Sequence, residues 1–133
     1  MAAVIDASVA IKWFVLEKGR TEALNVLHRV LLLPEQFCVP ELFYFELSHV
    51  FNRIVPNATK VQLNLMETVL QLGMNRFSFG PDLFRGQRKF QKLGLSGYDA
   101  TYVALAEQIK GQWLTFDSQA YKKIAHTKLC KLL

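Results

Sequence analysis

No stretch of this 133-residue chain is apolar for anything close to the roughly 18 residues that a membrane-crossing helix needs, so no transmembrane span is expected. Cysteine is scarce too: Cys38 and Cys130 stand far apart, in apolar surroundings and without metal-ligand spacing. That excludes a disulfide framework and reads as two core thiols of a reducing compartment. The opening Met-Ala-Ala-Val-Ile is cut by Asp6, with no basic leader and no long apolar segment, so a secretory signal is not expected and the cytoplasm is. Repeats, low-complexity segments and linkers are missing as well, which leaves one domain spanning residues 1–133. With 51% hydrophobic and 20% charged residues, wholesale disorder is excluded.

What is present begins with charge. Sixteen Lys and Arg against eleven Asp and Glu give a net of +5, and the excess is uneven. Residues 1–75 carry six basic and seven acidic side chains, whereas residues 76–133 carry ten and four. Such asymmetry favours a polyanionic partner, because Lys and Arg contacts to phosphate release counterions. The densest stretch is Arg85-Gly-Gln-Arg-Lys-Phe-Gln-Lys92, which offers Arg85, Arg88, Lys89 and Lys92 as backbone contacts and Phe90 as a base-stacking surface. A solvated helix face explains the same octamer equally well.

The hydrophobic pattern alternates between two periods. Ala3-Val-Ile5 is β-prone, and Val9 to Leu16 holds a helical turn or two. Residues 20–33 place apolar side chains at helical spacing until Pro34, after which Phe37-Cys-Val39 reads as a second strand. Pro40 stands where a helix can begin, and Glu41 to Val55 continues it to Pro56. Thr59 to Leu72 is a helix stopped by Gly73, Arg76 to Phe79 a third strand, and Pro81 to Leu93 a helix closed by Gly94. Tyr98 to Lys110 is an apolar helix. Gln112 to Phe116 is a strand, Ser118 to His126 a helix, and Leu129 to Leu133 a last strand. Strands alternating with long helices predict an α/β fold with a parallel sheet covered on both faces, whose crevice lies beyond the carboxyl ends of its strands.

Four carboxylates stand in places that this architecture makes notable. Asp6 follows Ala3-Val-Ile5 directly, and Asp117 follows the strand Trp113 to Phe116. Either can simply cap the next helix. Asp99 opens a helix whose body, Ala100 to Ala106, has almost no polar face, and Ser96-Gly-Tyr-Asp99 also fits a capping box. Glu46 lies mid-helix on the shoulder of the stripe Phe43, Leu47, Val50 and Ile54. A carboxylate there needs a partner: Arg53, His49, water, or something else. Gathered at one crevice, the four would repel one another and raise their pKa values unless a cation is present. Hard oxygen ligands suit Mg2+ or Mn2+, which activate water and grip a phosphodiester.

These segments resemble the four motifs of the PIN-domain family, and in particular of VapC-type toxin ribonucleases. Val4-Ile-Asp-Ala-Ser8, followed by Trp13-Phe14, is similar to the first motif. Val39-Pro-Glu-Leu-Phe-Tyr-Phe-Glu46 resembles the second, with its glutamate six residues after a proline. Leu95-Ser-Gly-Tyr-Asp99 with Ala100 to Ala106 resembles the third, and Leu114-Thr-Phe-Asp117 the fourth. The resemblance covers nearly the whole chain and implies a three-layer α/β/α sandwich around a parallel sheet of about five strands. It further implies that Asp6, Glu46, Asp99 and Asp117 bind Mg2+ or Mn2+, with Ser8 and Thr115 supporting the first and last aspartates. The implied activity is endonucleolytic cleavage of single-stranded RNA by metal-activated water, leaving a 5′-phosphate and a 3′-hydroxyl. The implied partners are RNA, a second copy of the chain, and a small cognate antitoxin.

One position departs from the pattern. The family commonly has asparagine three residues after the motif glutamate, and here His49 stands there, read as a supporting or packing residue whose presence bears on metal preference. His28 and His126 have no acidic motif nearby and read as ordinary histidines. Phe43-Tyr-Phe45 and the helix at 59–72 carry more apolar side chains than one core can take, which marks a dimer or antitoxin surface. Receiver domains and haloacid-dehalogenase phosphatases also put aspartates at strand ends, but each needs a second acidic residue where Ala7 and Ser8 stand. The rival from another class is a non-catalytic RNA-binding or scaffolding module, against which all four acidic positions are filled.

Overall fold

The computed structural model describes residues 2–133; Met1, part of the opening stretch read for a leader, lies outside them. Five strands form one fully parallel sheet: β1 (Ala3–Ile5), β2 (Phe37–Pro40), β3 (Asn75–Phe77), β4 (Gln112–Thr115) and β5 (Cys130–Leu132). Their spatial order is β3-β2-β1-β4-β5. The chain therefore steps outward from β1 to β2 and β3, then returns to the other side of β1 for β4 and β5. The reversal falls between β1 and β4, and a crevice opens there beyond their carboxyl ends.

Seven helices cover the sheet: α1 (Ala7–Ile11), α2 (Arg20–Leu32), α3 (Leu42–Ile54), α4 (Thr59–Leu70), α5 (Pro81–Gln91), α6 (Gly97–Gln108) and α7 (Ser118–Ile124). The α/β/α sandwich expected from the alternating pattern is the fold observed. Its core holds Trp113, Tyr102, Phe37, Phe43, Phe51 and Phe90, all fully buried around the three central strands. Helix α6 is buried from Ala100 through Ala106, as its lack of a polar face requires, and lies across β1, β2 and β4. Helix α5 runs antiparallel to it at close range. A Cβ at Gly86 would stand 2.7 Å from the Ala104 Cβ, so only glycine fits this crossing.

Several boundaries differ from the sequence pattern, each for a local reason. The first helix starts at Ala7 rather than Val9, because the Asp6 carboxylate accepts from the Ser8 N–H and caps it. Pro40 closes β2 instead of opening a helix: the Glu41 N–H is taken by the Phe77 carbonyl of β3, and α3 begins one residue later. The third strand covers Asn75–Phe77, not Arg76 to Phe79. Of the three consecutive aromatics, Phe43 and Tyr44 turn inward and Phe45 remains outside. On α4 only Val69 is fully buried, leaving Val61, Leu63 and Leu70 exposed. Among the described residues no helix is long and apolar enough to cross a membrane.

Candidate active site

Asp6 sits one residue past β1, buried at the crevice floor, and every one of its hydrogen bonds comes from a neutral donor. Its Oδ1 accepts from the Ser8 N–H at 2.9 Å and the Ser8 hydroxyl at 2.5 Å. Its Oδ2 accepts from the Trp113 indole N–H at 2.9 Å and the Thr115 hydroxyl at 2.6 Å. The two hydroxyls then act as acceptors: Ser8 Oγ takes the Phe116 N–H and Thr115 Oγ1 the Asp117 N–H. One carboxylate thus ties the end of β1 to the turn after β4. Ser8 and Thr115 both touch Asp6, which gives the supporting roles read for them a physical content.

That turn delivers Asp117, whose Oδ1 accepts from the Gln119 and Ala120 N–H groups, both at 3.0 Å. The capping alternative is therefore true, and it occupies one oxygen only. Asp99 reaches the crevice from the first turn of α6, which is anchored where Ser96 Oγ accepts the Asp99 N–H at 3.1 Å. Glu46 leans in from α3, and its partner is neither Arg53 nor His49. The Tyr102 hydroxyl, on α6, donates to Glu46 Oε1 at 2.5 Å. Asp6, Ser8, Glu46, Asp99, Tyr102 and Asp117 line one cleft of about 190 Å³.

The electrostatics of this cleft are those of crowded, unneutralised anions. Burial pushes the Asp6 carboxyl above its usual range, although the hydrogen bonds from Ser8, Thr115 and Trp113 pull against it. Burial also raises Glu46, and the charges of Asp6 and Asp99 add to the shift while the Tyr102 hydroxyl opposes it. Asp99 is raised by burial and then by Asp117 and Asp6, with Ser96 and Lys123 opposing. The field reaches the core thiol beneath: Cys130, buried and facing the three aspartates, is pushed up to about 12. No salt bridge to any of the four carboxylates is present among the described residues.

A divalent cation fits that donor set. The oxygens are hard, anionic and mutually repulsive, and Asp117 Oδ2 and Glu46 Oε2 accept no hydrogen bond from the described residues. Among these residues no three His, Cys, Asp or Glu side chains stand close enough to hold one ion directly. Mg2+ ordinarily keeps several waters in its shell, which suits a loose arrangement of this kind.

The basic candidates lie elsewhere. Arg85 pairs with Asp82, and Lys89 Nζ meets Glu107 Oε2 at 2.7 Å, beside the carboxyl-terminal half of α6. Eight residues of helix, about 12 Å of rise, separate Glu107 from Asp99. Arg88 stacks on Phe84 and hydrogen-bonds Gln91. Phe90 is buried and presents no stacking surface. Lys92, by contrast, caps the end of α5 that meets Gly97 and the start of α6. His49 is exposed and lies outside the cleft, on the wall of a neighbouring groove that Glu46 also lines.

Three contributors escaped the sequence reading: Tyr102, Trp113 and Lys123. The signal for the first two was present, since a phenol and an indole N–H inside wholly apolar elements must find polar partners. Their rings also stack, at 5.9 Å and 10°.

Comparison with known proteins agrees with this geometry. Residues 3–126 match the model of the PIN domain family. Among solved structures, a toxin-antitoxin complex from Klebsiella pneumoniae aligns with a TM-score of 0.69 at 17% identity, over 98% of this chain and 96% of that one. VapC20 of Mycobacterium tuberculosis, a sarcin-ricin loop cleaving toxin, aligns with a TM-score of 0.70 at 13% identity, over 91% and 94%. A protein from Pyrobaculum aerophilum aligns with a TM-score of 0.64 at 19% identity, over 92% and 79%. No curated protein matches. The structures share the fold at low identity, and the family model covers strands β1 to β4 and the positions of all four carboxylates: the chain belongs to the PIN domain family.

Proposed function

We propose that this protein is an Mg2+- or Mn2+-dependent endoribonuclease that hydrolyses single-stranded RNA, and the toxin of a VapBC-type toxin–antitoxin pair acting in the cytoplasm. The observation that carries the reading is the cleft itself: four carboxylates from the end of β1, α3, α6 and the turn after β4, with no salt bridge to any of them among the described residues. Asp6, Asp99 and Asp117 would be the principal residues holding the ion, with waters completing its shell, since no three of the described side chains stand close enough to hold one ion directly. A bound divalent ion supplies Lewis-acid chemistry there, making water nucleophilic and drawing charge from the phosphodiester. Asp6 is oriented for this by Ser8, Thr115 and Trp113. Tyr102 fixes one oxygen of Glu46 and leaves the other for the ion or for the attacking water. Water adds to phosphorus and the P–O3′ bond breaks, leaving a 5′-phosphate and a 3′-hydroxyl.

The basic face of α5 follows the RNA backbone outward, with Lys92 nearest the cleft. A homodimer uses the exposed apolar side chains of α4, and a small antitoxin silences the enzyme by covering the cleft. Labelled single-stranded RNA incubated with purified protein and Mn2+ or Mg2+ tests the core of the reading. Cleavage is expected, and it is lost with EDTA and in Asp6→Asn. If the folded, antitoxin-free protein binds neither metal nor RNA, the nuclease reading is wrong and a scaffolding module takes its place.

A further inference from the structure

Beside the carboxylate cleft lies a second, larger depression of about 460 Å³, lined by Ala7, Leu42, Phe45, Glu46, His49, Val50 and Tyr98. It is continuous with the cleft, since Ala7 and Glu46 line both. Phe45 and Tyr98 are, at 73% and 63% exposure, far more solvent-accessible than the core demands of rings that size. Each immediately precedes a candidate ligand in sequence: Phe45 precedes Glu46 on α3, and Tyr98 precedes Asp99 on α6. Phe43 and Tyr44 fill the core positions beside Phe45, so the core does not take that ring up. His49, one turn after Phe45, adds ring nitrogens at the rim of an otherwise apolar surface.

We infer that this groove is a nucleobase subsite, in which Phe45 and Tyr98 stack a base of the RNA strand adjacent to the phosphodiester held at the carboxylates. The inference rests on the nuclease reading and deepens it by naming what holds the nucleotide next to the scissile bond. Unpaired bases in single-stranded RNA have two free π faces, and aromatic side chains are the usual platform for them. The groove carries no Lys or Arg, so it suits the uncharged base; the phosphate belongs to the cleft next door. Stacking tolerates any base, and the imidazole of His49 is the one group on the wall, apart from the Glu46 carboxylate and the Tyr98 hydroxyl, able to read a base edge.

Binding of a short fluorescent single-stranded oligoribonucleotide tests this, measured by anisotropy on Asp6→Asn protein so that no cleavage intervenes. Phe45→Ala and Tyr98→Ala, added to that background, each weaken binding by roughly ten- to one-hundred-fold, the range for one stacked base. Phe45→Trp retains affinity and Phe45→Leu does not. An oligonucleotide with one abasic position beside the cleavage site loses the same affinity on the parent, and Phe45→Ala then costs nothing further. In the cleaving protein the same alanines raise KM and leave kcat largely unchanged. Equal affinity of the alanine variants and their parent overturns the subsite. So does a shift from dimer to monomer, by light scattering, with RNA affinity intact; that would assign the groove to a second copy of the chain. If the protein with Asp6 intact cleaves RNA and the alanine variants match their Asp6→Asn parent in affinity, only the subsite fails, whereas a protein with Asp6 intact that neither binds nor cleaves RNA takes both readings down.

Discussion

Asp6 and the pair Asp82–Arg85 all sit at the beginnings of helices, yet their surroundings are opposite. Asp6 is 7% exposed and is held by four donors, two from Ser8 just after β1 and two from Trp113 and Thr115 of β4. The side chains of Arg85 and Asp82 are 71% and 79% exposed and pair across one helical turn, in water. A pair of that kind contributes about 0–1 kcal/mol, whereas stranding one of Asp6's buried donors costs about 1–3 kcal/mol. The cleft gathers unneutralised charge around a buried carboxylate, and the α5 face neutralises much of its charge where solvent is plentiful. Net charge therefore says little about which charges are available to a ligand.

Substitutions in the cleft sharpen that contrast most. Asp6→Asn removes the carboxylate that ties the end of β1 to β4 and the turn after it, and RNA cleavage falls by at least about a hundredfold, beyond the loss usual for a supporting residue. Thr115→Val comes next. It takes one of the two donors from Asp6 Oδ2, which keeps the Trp113 indole, and leaves the Asp117 N–H without its partner, which lowers stability by about 1–3 kcal/mol and activity or metal affinity by roughly ten- to one-hundred-fold. Urea unfolding with a cleavage assay checks both. Unchanged activity in Thr115→Val would mean that the turn after β4 is not set by Asp6.

The same crowding has a pH signature. The folded-state pKa values of Asp6, Glu46 and Asp99 all lie above their ordinary ones, so the folded protein binds more protons than the unfolded chain near those values. Without divalent ion, the stability these groups contribute is full below about pH 4 and is lost as pH rises through the shifted values. In EDTA, the Tm of the parent relative to Asp6→Asn should be higher at pH 5 than at pH 7.5. Mn2+ binds the deprotonated carboxylates and should reverse the order at pH 7.5, by mass action. A difference independent of pH and metal would show that the cleft carries no such coupling. Tyr102→Phe has a smaller effect: it removes the hydroxyl that opposes the upward shift of Glu46, so the acid limb of the pH–rate profile moves to higher pH while the fold stays intact.

The parts of this molecule legible in the sequence are those where local pattern and tertiary demand coincide. Alternating strands and helices gave the sheet, and strand-end aspartates gave the cleft, because a parallel sheet brings its carboxyl ends to one edge. At Asp117 the capping reading holds and leaves room for the other, since a carboxylate has two oxygens and the cap uses one. What stayed hidden depended on contacts between segments distant in sequence. The Tyr102 hydroxyl reaches Glu46 across 56 positions, and the Trp113 indole reaches Asp6 across 107. The Pro40 boundary was missed for the same reason: its strand character is set by β3, which lies after two further helices.

The basic octamer is where that lesson has a testable edge, with the smallest expected effects. Residues that meet RNA phosphates each lower the slope of log affinity against log salt by about one when replaced by alanine. Lys92 stands at the cleft end of α5, and Arg88 is held only by an amide and a ring, so both are free to exchange into phosphate contacts. Arg85 and Lys89 must first leave Asp82 and Glu107, at the far end of α6. Lys92→Ala and Arg88→Ala should therefore each reduce the slope by about one, and Arg85→Ala and Lys89→Ala by clearly less. Glu107→Gln sharpens the comparison, because it releases Lys89 without touching the cleft and should raise RNA affinity where Lys89 faces the strand. Four equal slopes would mean that the whole face of α5 lies on the RNA, and that the surface pairs give way without measurable resistance.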